Sequence, residues 1–400
     1  MTADDTLPPL PTDAMQARKL SKADLTEMEK IKVWVRAGGV CVLCHDYLLE
    51  GTLSGLGVAL GELAHIVGQK NSARSPRGLN PLPTDRRDDA DNVLLACAGC
   101  HNEIDKKLIA GVLDVERLGA MKASHEAHIR HVTTLPHDAQ TLVLRMLDGL
   151  RGEPVDVTRA TVTSAVTAAG RWPWFGLDRL NQGVEIDLRG IPGEETADQA
   201  YYRTAAGKID EVLEHKLREA VAADEVRHVS VFPFARLPLI IHLGSRLSDN
   251  FTVAPYQRHR DNQTWDWDPA ARPSTFTAAH DDLRQASEVL LVLNISGTVD
   301  VTALDPDLAD LPTITVTPDR QPSPDVLRSL ESLAALCQVL REVNATLDAH
   351  KATVTRVHVV GAVPPAAAIE VGRLHERHVH PPLALYSLDD GHYRYALEIA

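Results

Sequence analysis

Long apolar runs are missing from this sequence, and no stretch approaches the roughly 20 apolar residues that a membrane-spanning helix needs. Cysteine is scarce as well, since five cysteines in 400 residues do not make a disulfide scaffold. The N-terminal stretch, MTADDTLPPLPTD, lacks the basic-then-apolar order of a secretion signal. We therefore expect a cytoplasmic protein that does not associate with membranes.

The sequence also lacks an excess of basic residues. It has 41 lysines and arginines against 55 aspartates and glutamates, for a net charge of -14. That balance excludes a protein that coats nucleic acid with its whole surface. Residues 31–135, however, hold 12 basic and 12 acidic residues, so this segment is neutral and the acidic surplus lies elsewhere. A local DNA contact is therefore expected in this segment only.

The length and an apolar content of 44% predict two or three domains, each with its own core. We predict a disordered arm and helix start at 1–30, a first domain at 31–135, a helix and linker at 136–170, and a second domain at 171–400. Helical patterns cover 25–37, 102–108 and 115–131 in the first part, and 141–150 in the connection.

The second half alternates strands and helices. Short apolar strands are predicted at 229–234, 289–295, 313–316 and 357–360, with helical patterns at 197–222 and 324–351. Such alternation is typical of an α/β domain with a largely parallel sheet. A weak repeat pairs HVSVFPFARLPLIIHLGSRL, from His228, with HVVGAVPPAAAIEVGRLHERH, from His358. It indicates either a duplicated βα unit or two unrelated strand-to-helix corners.

Four of the five cysteines form two CxxC pairs, Cys41 with Cys44 and Cys97 with Cys100. Two such knuckles can close a tetrahedral four-thiolate zinc site. Four thiolates leave no open position, so the zinc is expected to be structural and its binding energy to be part of the folding energy. The alternative is that the cysteines are merely buried. Cys337 lies in an apolar helical run and is expected in the core.

The segment between the knuckles carries histidines in a specific order. Ala64-His65-Ile66 comes first, Asn92-Val93-Leu94-Leu95 follows, and His101 comes directly after the second knuckle, in CxxCHNEID. Over roughly residues 33–110 this order resembles the HNH nuclease family. The resemblance implies a ββα-metal hairpin and helix that hold one divalent cation beside a histidine base.

The residue types suit these roles. A neutral imidazole is the natural base near pH 7, and His65 is the candidate. Asn92 would orient His65 and fix the hairpin, as the middle residue of the family does. His101 can give a ring nitrogen to the catalytic metal, and Asp105, one helical turn later, can ligate the metal or orient His101. Oxygen ligands and waters beside His101 favour Mg or Mn as the cofactor.

One position departs from the family pattern. Many HNH proteins place an aspartate directly before the first histidine, where it binds the metal, and here that position is Ala64. Glu62 lies three residues before His65 and is expected to face away from it on a regular strand. The metal therefore has few obvious carboxylates, and a zinc-stabilised DNA-binding module with an inactive centre is the alternative.

A basic loop lies inside the same segment. Between residues 70 and 87 it holds five cations against the single acidic residue Asp85. A flexible basic loop beside the hairpin predicts phosphate contacts without base reading. The alternative is a loop that is only solvated. The predicted DNA-binding residues are Lys70, Arg74, Arg77, Arg86 and Arg87.

The second half contains clusters of rings and guanidinium groups, in RWPWF from Arg171 and in YQRHRDNQTWDW from Tyr256. Such groups can stack bases and bind phosphates, or they can be core or dimer-contact residues. The predicted ligand-binding residues are Tyr256, Arg258, His259, Trp265 and Trp267. Together with FPFARLPLIIHLGSRL and VPPAAAIEVGRLHERHVHPPLALYSL, this half resembles the SAVED domain of bacterial anti-phage systems.

That resemblance implies two fused CARF-like (Rossmann-like) units that bind a cyclic oligonucleotide made by a partner nucleotidyltransferase in CBASS operons. The predicted fold is α/β overall, with a small zinc-bound ββα-metal (HNH) domain followed by the α/β SAVED domain. The predicted function is antiviral: a sequence-nonspecific, metal-dependent endonuclease for double-stranded DNA. A cyclic di- or trinucleotide would activate it, with a homodimer that forms a higher oligomer on activation.

Two other functions remain open at this point. One is a restriction-type HNH endonuclease whose C-terminal half reads DNA sequence or modification, although the acidic balance outside residues 31–135 disfavours a DNA grip there. The other is a non-catalytic module that combines zinc-dependent DNA docking with a small-molecule sensor.

Overall fold

The structure is a computed structural model that describes residues 25–51, 53–136, 138–149, 157–175, 184–218, 227–247 and 250–400. The chain divides into two compact units, Met1–Thr134 and Leu135–Ala400. Most of the predicted arm at 1–30 and the RGEPVD stretch of the predicted linker lie outside the described residues. Within the described residues, no helix is long and apolar enough to span a membrane.

The described residues of the first unit form three α-helices and a two-stranded sheet. They are α1 (Glu27–Arg36), β1 (Glu62–His65), β2 (Val93–Ala96), α2 (Ala98–Ile104) and α3 (Val115–Thr133), with 3-10 turns at Thr84–Arg86 and Ala90–Asn92. α1 begins where the Thr26 hydroxyl accepts a hydrogen bond from the Glu29 N–H, and it is followed by Gly38 and Gly39, both at positive φ. The chain can turn back there because glycine tolerates that conformation.

The two strands form an antiparallel hairpin in which His65 lies opposite Val93. All four residues of β2 are buried, and α1 and α2 pack against this strand. Val33 of α1 and Ile104 of α2 belong to the same core, as does Leu118 of α3. The hairpin is therefore fixed by burial of its second strand, while the end of β1 stays close to the surface.

The second unit begins with a parallel sheet. Its strands are β3 (Gln140–Leu147), β4 (Trp172–Trp174), β5 (Val184–Asp187), β6 (His228–Phe234) and β7 (Thr252–Pro255). β4 and β5 pair with one edge of β3, β6 pairs with the other edge, and β7 follows β6. The helices in this part are α4 (Arg159–Ala168) and α5 (Gln199–Val212), the latter continuing into a π-helical turn, Leu213–Leu217.

The predicted helix at 141–150 is wrong, because β3 occupies most of this segment. Six consecutive residues of β3 are buried, because alternate side chains pack into two different apolar clusters, one on each face of the sheet. A parallel strand that is buried on both faces has a continuous apolar run instead of an alternating one. Periodicity alone does not separate such a run from a buried helix.

A second sheet has the order β13-β12-β11-β9-β10-β8, with antiparallel outer strands β13 and β8 and parallel inner strands. Its strands are β8 (Phe276–His280), β9 (Glu288–Asn294), β10 (Thr313–Pro318), β11 (Arg356–Ala362), β12 (Leu383–Asp389) and β13 (His392–Ile399). The other helices of the described residues are α6 (Leu237–Arg246), α7 (Pro306–Ala309), α8 (Leu330–Ala349) and α9 (Pro365–Arg373), with 3-10 turns at Val301–Ala303 and Pro324–Val326. The four predicted strands are confirmed with small shifts at their ends, and Cys337 lies buried in α8 as expected.

The two copies of the weak repeat form β6–α6 and β11–α9, and the two helices pack against each other. A Cβ atom on Gly244 would lie 2.2 Å from the Ile369 carbonyl oxygen, and one on Gly372 would lie 2.0 Å from the Ile241 carbonyl oxygen. Each glycine thus faces the residue three positions before the other glycine. This reciprocity supports a duplicated βα unit. It also corrects the alignment, because the strand starts pair His228 with Arg356 instead of His358.

Candidate functional site

The four cysteines of the two CxxC pairs come together in the first unit. The Sγ atoms of Cys41, Cys44, Cys97 and Cys100 all lie within 4.8 Å of one another, and those of Cys44 and Cys97 are 3.7 Å apart. Four sulfurs bonded to zinc at about 2.3 Å would be about 3.8 Å apart in a tetrahedron. Burial raises the pKa of the Cys44 thiol to about 11, so a bound cation would be needed to keep this sulfur as a thiolate near neutral pH. The arrangement therefore fits a structural zinc ion.

Local backbone structure builds each knuckle. In the first, the His45 N–H donates to the Cys41 carbonyl, with His45 at positive φ, and the Val42 N–H donates to the Leu95 carbonyl of β2. In the second, Cys97 is the N-cap of α2, and its sulfur accepts a hydrogen bond from the Cys100 N–H at 3.4 Å. The cysteine cluster therefore ties the first knuckle to the junction between β2 and α2.

His65 ends β1 with its side chain 14% exposed. Its Nε2 lies 2.8 Å from Asp88 Oδ1, and Gln69 Nε2 donates to both oxygens of Asp88 at 3.1 and 3.2 Å. Asp88 was not predicted as a site residue, because it is one of several aspartates that lie in and directly after the basic loop. The imidazole therefore has a carboxylate partner that holds one ring nitrogen.

Asn92 acts on the backbone and not on the ring of His65. Its Oδ1 accepts from the Val67 N–H at 2.9 Å, and its Nδ2 donates to the carbonyls of Val67 and Arg87 at 2.9 and 2.7 Å. The side chain is 7% exposed. It therefore joins the segment that follows His65 to the segment that leads into Asp88.

His101 lies on α2 and also has a carboxylate partner. Its Nδ1 is 2.7 Å from Glu62 Oε2, and its Nε2 is 3.6 Å from Asp105 Oδ2. Glu62 was expected only to face away from His65, as strand alternation requires. Its contact with His101 was not predicted, and it arises because α2 packs against β1. A carboxylate is thus present near His101 although position 64 is alanine.

These donors suit a hard divalent cation. An imidazole nitrogen with carboxylates from Glu62 and Asp105 matches the ligand preferences of Mg or Mn completed by water. In the described part of the chain, the four cysteines are the only group of three or more candidate ligand atoms that lie within 4.8 Å of one another. Glu62 approaches Nδ1 of His101 and Asp105 approaches Nε2, and these three side chains do not form such a group.

Two of the five predicted DNA-binding residues are internal. Arg87 is 1% exposed, and it donates to the carbonyls of Leu82, Gly68 and Asn80 at 3.0, 2.7 and 3.0 Å. The side chain of Arg77 is 4% exposed, and it donates to the carbonyls of Ile66, His65 and Ile104. These guanidinium groups bond carbonyls inside the loop and carbonyls of the segments on either side of it, so they tie the loop to the hairpin and to α2. The assignment of Arg77 and Arg87 to DNA contact is therefore wrong.

The other three basic side chains are at the surface. Lys70 and Arg74 are exposed, and Arg86 is exposed while its Nε donates to Asp89 at 3.2 Å. They remain the predicted phosphate contacts of this loop.

In the second unit, two predicted ligand-stacking rings lie in the core. Tyr256 stacks on Phe232 with ring centroids 4.4 Å apart, and Trp265 meets the same ring edge-on at 5.4 Å. Both are 2% exposed, so neither offers a face to a ligand. Trp267 is partly exposed and meets the edge of the His259 ring at 6.0 Å.

The same segment contains buried polar atoms without a hydrogen-bond partner among the described residues. They are Gln257 Oε1, Arg258 Nε, His259 Nε2 and Asp266 Oδ1. Gln257 and His259 are 3% and 5% exposed. Burial, with Arg328 nearby, lowers the pKa of His259. Buried polar groups require a partner, so this segment is suited to a polar ligand or to ordered water.

The carboxyl edge of the first sheet is a second candidate for a ligand site, because ligands of α/β proteins bind where the strand order reverses. Here β3 and β6 are neighbours, and the Asp148 carboxylate follows β3. It accepts from Arg236 Nη1 at 2.9 Å and from the Tyr201 hydroxyl at 2.8 Å. The Asp148 side chain is fully buried. The protein itself fills this position with an ion pair.

A cleft of about 380 Å³ also opens in the second unit, with Arg246 and Arg377 beside apolar Leu213, Leu217 and Phe251. Arg246 donates to both oxygens of Asp210. For Arg377, no ion pair is found in the described part of the chain, so it is the cation of this cleft without an acidic partner.

Comparison with known proteins identifies the C-terminal half. Residues 209–399 match the family model described as "SMODS-associated and fused to various effectors sensor domain" (SAVED), which confirms the expected SAVED domain over these residues. No curated protein matches the chain. The nuclease resemblance of the first unit remains a prediction.

The chain is also similar to solved receptor structures. One is the Acinetobacter baumannii Cap4 SAVED/CARF-domain containing receptor with the cyclic trinucleotide 2'3'3'-cAAA, at 12% identity and a TM-score of 0.43, covering 74% of this chain and 61% of that chain. Another is the Moraxella osloensis Cap4 receptor, at 14% identity and a TM-score of 0.41, covering 72% and 61%. The chain thus spans less than two thirds of the length of these receptors.

Proposed function

We propose that this protein is a metal-dependent endonuclease for double-stranded DNA that a cyclic oligonucleotide activates, as an effector of anti-phage defence of the CBASS type. One observation supports the nuclease part most directly. His65 and His101, each with a carboxylate partner, lie on β1 and α2, which the cysteine cluster and the buried strand β2 hold in one compact unit.

In this proposal His65 is the general base. A neutral imidazole accepts a proton from the attacking water near pH 7. His101, Glu62 and Asp105 would hold a divalent cation, which stabilises the charge that develops on the phosphate and the leaving oxygen. Lys70, Arg74 and Arg86 contact backbone phosphates, which carry no sequence information, so cleavage is sequence-nonspecific.

The SAVED domain supports a switched activity. A nuclease that does not read sequence has to be inactive in its own cell until a signal arrives. A ligand that shifts an equilibrium from 1:99 to 99:1 must bind the active form better by about 5.5 kcal/mol. We propose that a cyclic di- or trinucleotide from a partner nucleotidyltransferase supplies this difference, and that the homodimer forms a higher oligomer on activation.

The ligand would contact polar groups of the segment Tyr256–Trp267 instead of its buried rings. Arg258 and His259 offer hydrogen-bond donors, and Gln257 and Asp266 offer acceptors, at atoms that lack partners in the described structure. Phosphates and base edges carry the complementary groups. Trp267 is the partly exposed ring of this segment that remains available for stacking.

A plasmid assay tests the nuclease. Zinc-loaded protein is incubated with supercoiled DNA, Mg or Mn, and a panel of cyclic di- and trinucleotides that includes the cAAA isomers. We expect linear and then fragmented DNA only with metal and one activator. His65→Ala should abolish cleavage, whereas His128→Ala, an exposed histidine on α3, should cleave like the wild type.

Three results would contradict the proposal. Full cleavage by His65→Ala removes that residue from the role of base. DNA binding without cleavage under every condition favours the non-catalytic docking module, and cleavage restricted to modified or specific sequences favours the restriction-type enzyme. Sedimentation with and without activator checks the oligomer.

A binding assay tests the location of the ligand. Arg258→Ala should weaken binding of the activating cyclic nucleotide, and Arg260→Ala, an exposed arginine two positions away, should not. If Arg377→Ala weakens binding while Arg258→Ala has no effect, the ligand lies in the cleft beside Arg246 instead.

A further inference from the structure

We infer that Asp88 is a positioning residue that fixes the tautomer of His65, keeping the hydrogen on Nε2 and leaving the Nδ1 lone pair free to act as base. The inference rests on the proposed nuclease function for its catalytic meaning, but the tautomer itself can be observed without cleavage. Its basis is the 2.8 Å contact between His65 Nε2 and Asp88 Oδ1.

The direction of this hydrogen bond follows from the chemistry of the two groups. An ionised carboxylate has acceptors only, so the imidazole must be the donor. A neutral imidazole carries one N–H, and placing it on Nε2 leaves Nδ1 unprotonated. In the alternative tautomer two acceptors would face each other across a side-chain pair that is 14% and 28% exposed. The carboxylate therefore selects the tautomer.

Asp88 can select it only if its own position is fixed, and three contacts fix it. Gln69 Nε2 donates to both of its oxygens at 3.1 and 3.2 Å. Asn92 Nδ2 donates to the carbonyl of Arg87, the preceding residue, at 2.7 Å. Arg87 is itself buried and anchored on three carbonyls. Asn92 thus acts on His65 through the backbone that carries Asp88.

The surrounding contacts also predict the effect of removing the acceptor at position 88. In Asp88→Ala, His65 Nε2 loses its carboxylate partner and Gln69 Nε2 loses both of its acceptors. The carboxylate then no longer selects the hydrogen on Nε2, so His65 becomes a mixture of its two neutral tautomers, and the Nδ1 lone pair is free in only part of the molecules.

The test uses the full-length, zinc-loaded protein with 15N-labelled histidine. Long-range 1H–15N correlation spectra at neutral pH, without Mg or DNA, report the tautomer of His65, which is assigned with His65→Gln. We expect the Nε2–H form in the wild type and a mixture of the Nε2–H and Nδ1–H forms in Asp88→Ala. Asp89→Ala is the matched control, since this neighbouring carboxylate bonds the exposed Arg86 and not His65.

Steady-state cleavage by the activated protein supplies the second measurement. A positioned general base contributes about a hundredfold or more to the rate, so kcat should fall by up to that factor, with KM unchanged, in Asp88→Ala only. An Nδ1–H tautomer in the wild type, an unmixed Nε2–H form in Asp88→Ala, or a mixture without a fall in kcat would overturn the inference. If the wild type cleaves no DNA, the proposed function fails, while the spectra still decide what Asp88 does to His65.

Discussion

Replacing Gly244 or Gly372, the glycines where α6 and α9 pack against each other, should destabilise the second unit. A Cβ atom on Gly244 would lie 2.2 Å from the Ile369 carbonyl oxygen, and real Cβ atoms essentially never come closer than 3.0 Å to such an atom. The obstacle is backbone and not a flexible side chain. Gly244→Ala therefore requires the two helices to move apart by about 1 Å, a gap that forfeits a quarter to a half of the attraction at each contact.

The size of the effect is a balance of two terms. Overpacking of a tight core costs about 1–3 kcal/mol. Alanine in place of glycine inside a helix returns about 1 kcal/mol. The free energy of unfolding should therefore fall by up to about 2 kcal/mol, and the melting temperature by up to about 8 °C for a unit of this size. Gly372→Ala should behave alike, since its Cβ would lie 2.0 Å from the Ile241 carbonyl oxygen.

Differential scanning calorimetry of the full chain measures this effect. Gly207→Ala is the matched control, because this glycine lies in the middle of α5 with no atom within 4 Å of an added Cβ. It should raise stability by up to about 1 kcal/mol. The double variant Gly244→Ala, Gly372→Ala should cost less than the sum of the single variants, since one separation of the helices relieves both contacts. Equal stability of Gly244→Ala and Gly207→Ala would refute the argument that α6 and α9 pack too closely at Gly244 to admit a Cβ atom.

Three further predictions concern other parts of the chain. Chelation of zinc, or Cys100→Ser, should unfold the first unit, seen as loss of its near-ultraviolet circular dichroism together with loss of a single bound zinc. Arg87→Met should lower the free energy of unfolding by about 3 kcal/mol or more, because buried carbonyls lose their donors, whereas Arg74→Ala should leave stability unchanged and reduce the salt slope of DNA binding by about 1. Burial lowers the pKa of His228 and His375 to about 4. The unfolded chain binds their protons near pH 6.5, so melting temperature should be constant above about pH 6.5 and fall toward pH 4, less steeply in His375→Gln.

The elements that the sequence predicted correctly have a clear apolar pattern or a clear signal at one end, such as a helix cap. Helix α3 begins at Val115 after its Asp114 cap, and the strands that contain Val229, Val289 and Val357 are short apolar runs between helical patterns. β3 was misassigned because its burial on both faces removes the alternation that identifies a strand. Pairing with strands distant in sequence determined its structure, and local sequence does not record such pairing.

The candidate site was predictable in its histidines and not in their partners. The knuckle spacing and the order of His65, Asn92 and His101 pointed to them directly. Glu62 and Asp88 were missed because their roles depend on which element packs opposite, α2 in one case and the end of the basic loop in the other. A sequence shows that a carboxylate lies within a few residues of a histidine along the chain. It does not show which way the carboxylate side chain points.

Residue type alone also gave wrong predictions for some charged and aromatic side chains. Arg87 was predicted as a surface cation that contacts DNA, yet it is buried and bonds three backbone carbonyls. Trp265 was read as a stacking platform, yet it completes a core with Phe232 and Tyr256. Both residue types serve either purpose, and only the local supply of other core side chains decides between them.

The shape of the basic loop depends on guanidinium groups that bind backbone oxygens. Every amino acid carries a carbonyl, so these bonds survive almost any exchange of the outward-facing residues along the loop. Lys70 and Arg74 can therefore be replaced by other residues over generations without displacing His65. The exposed side chains proposed to contact DNA are therefore free to diversify, while the backbone that carries the proposed base keeps its form.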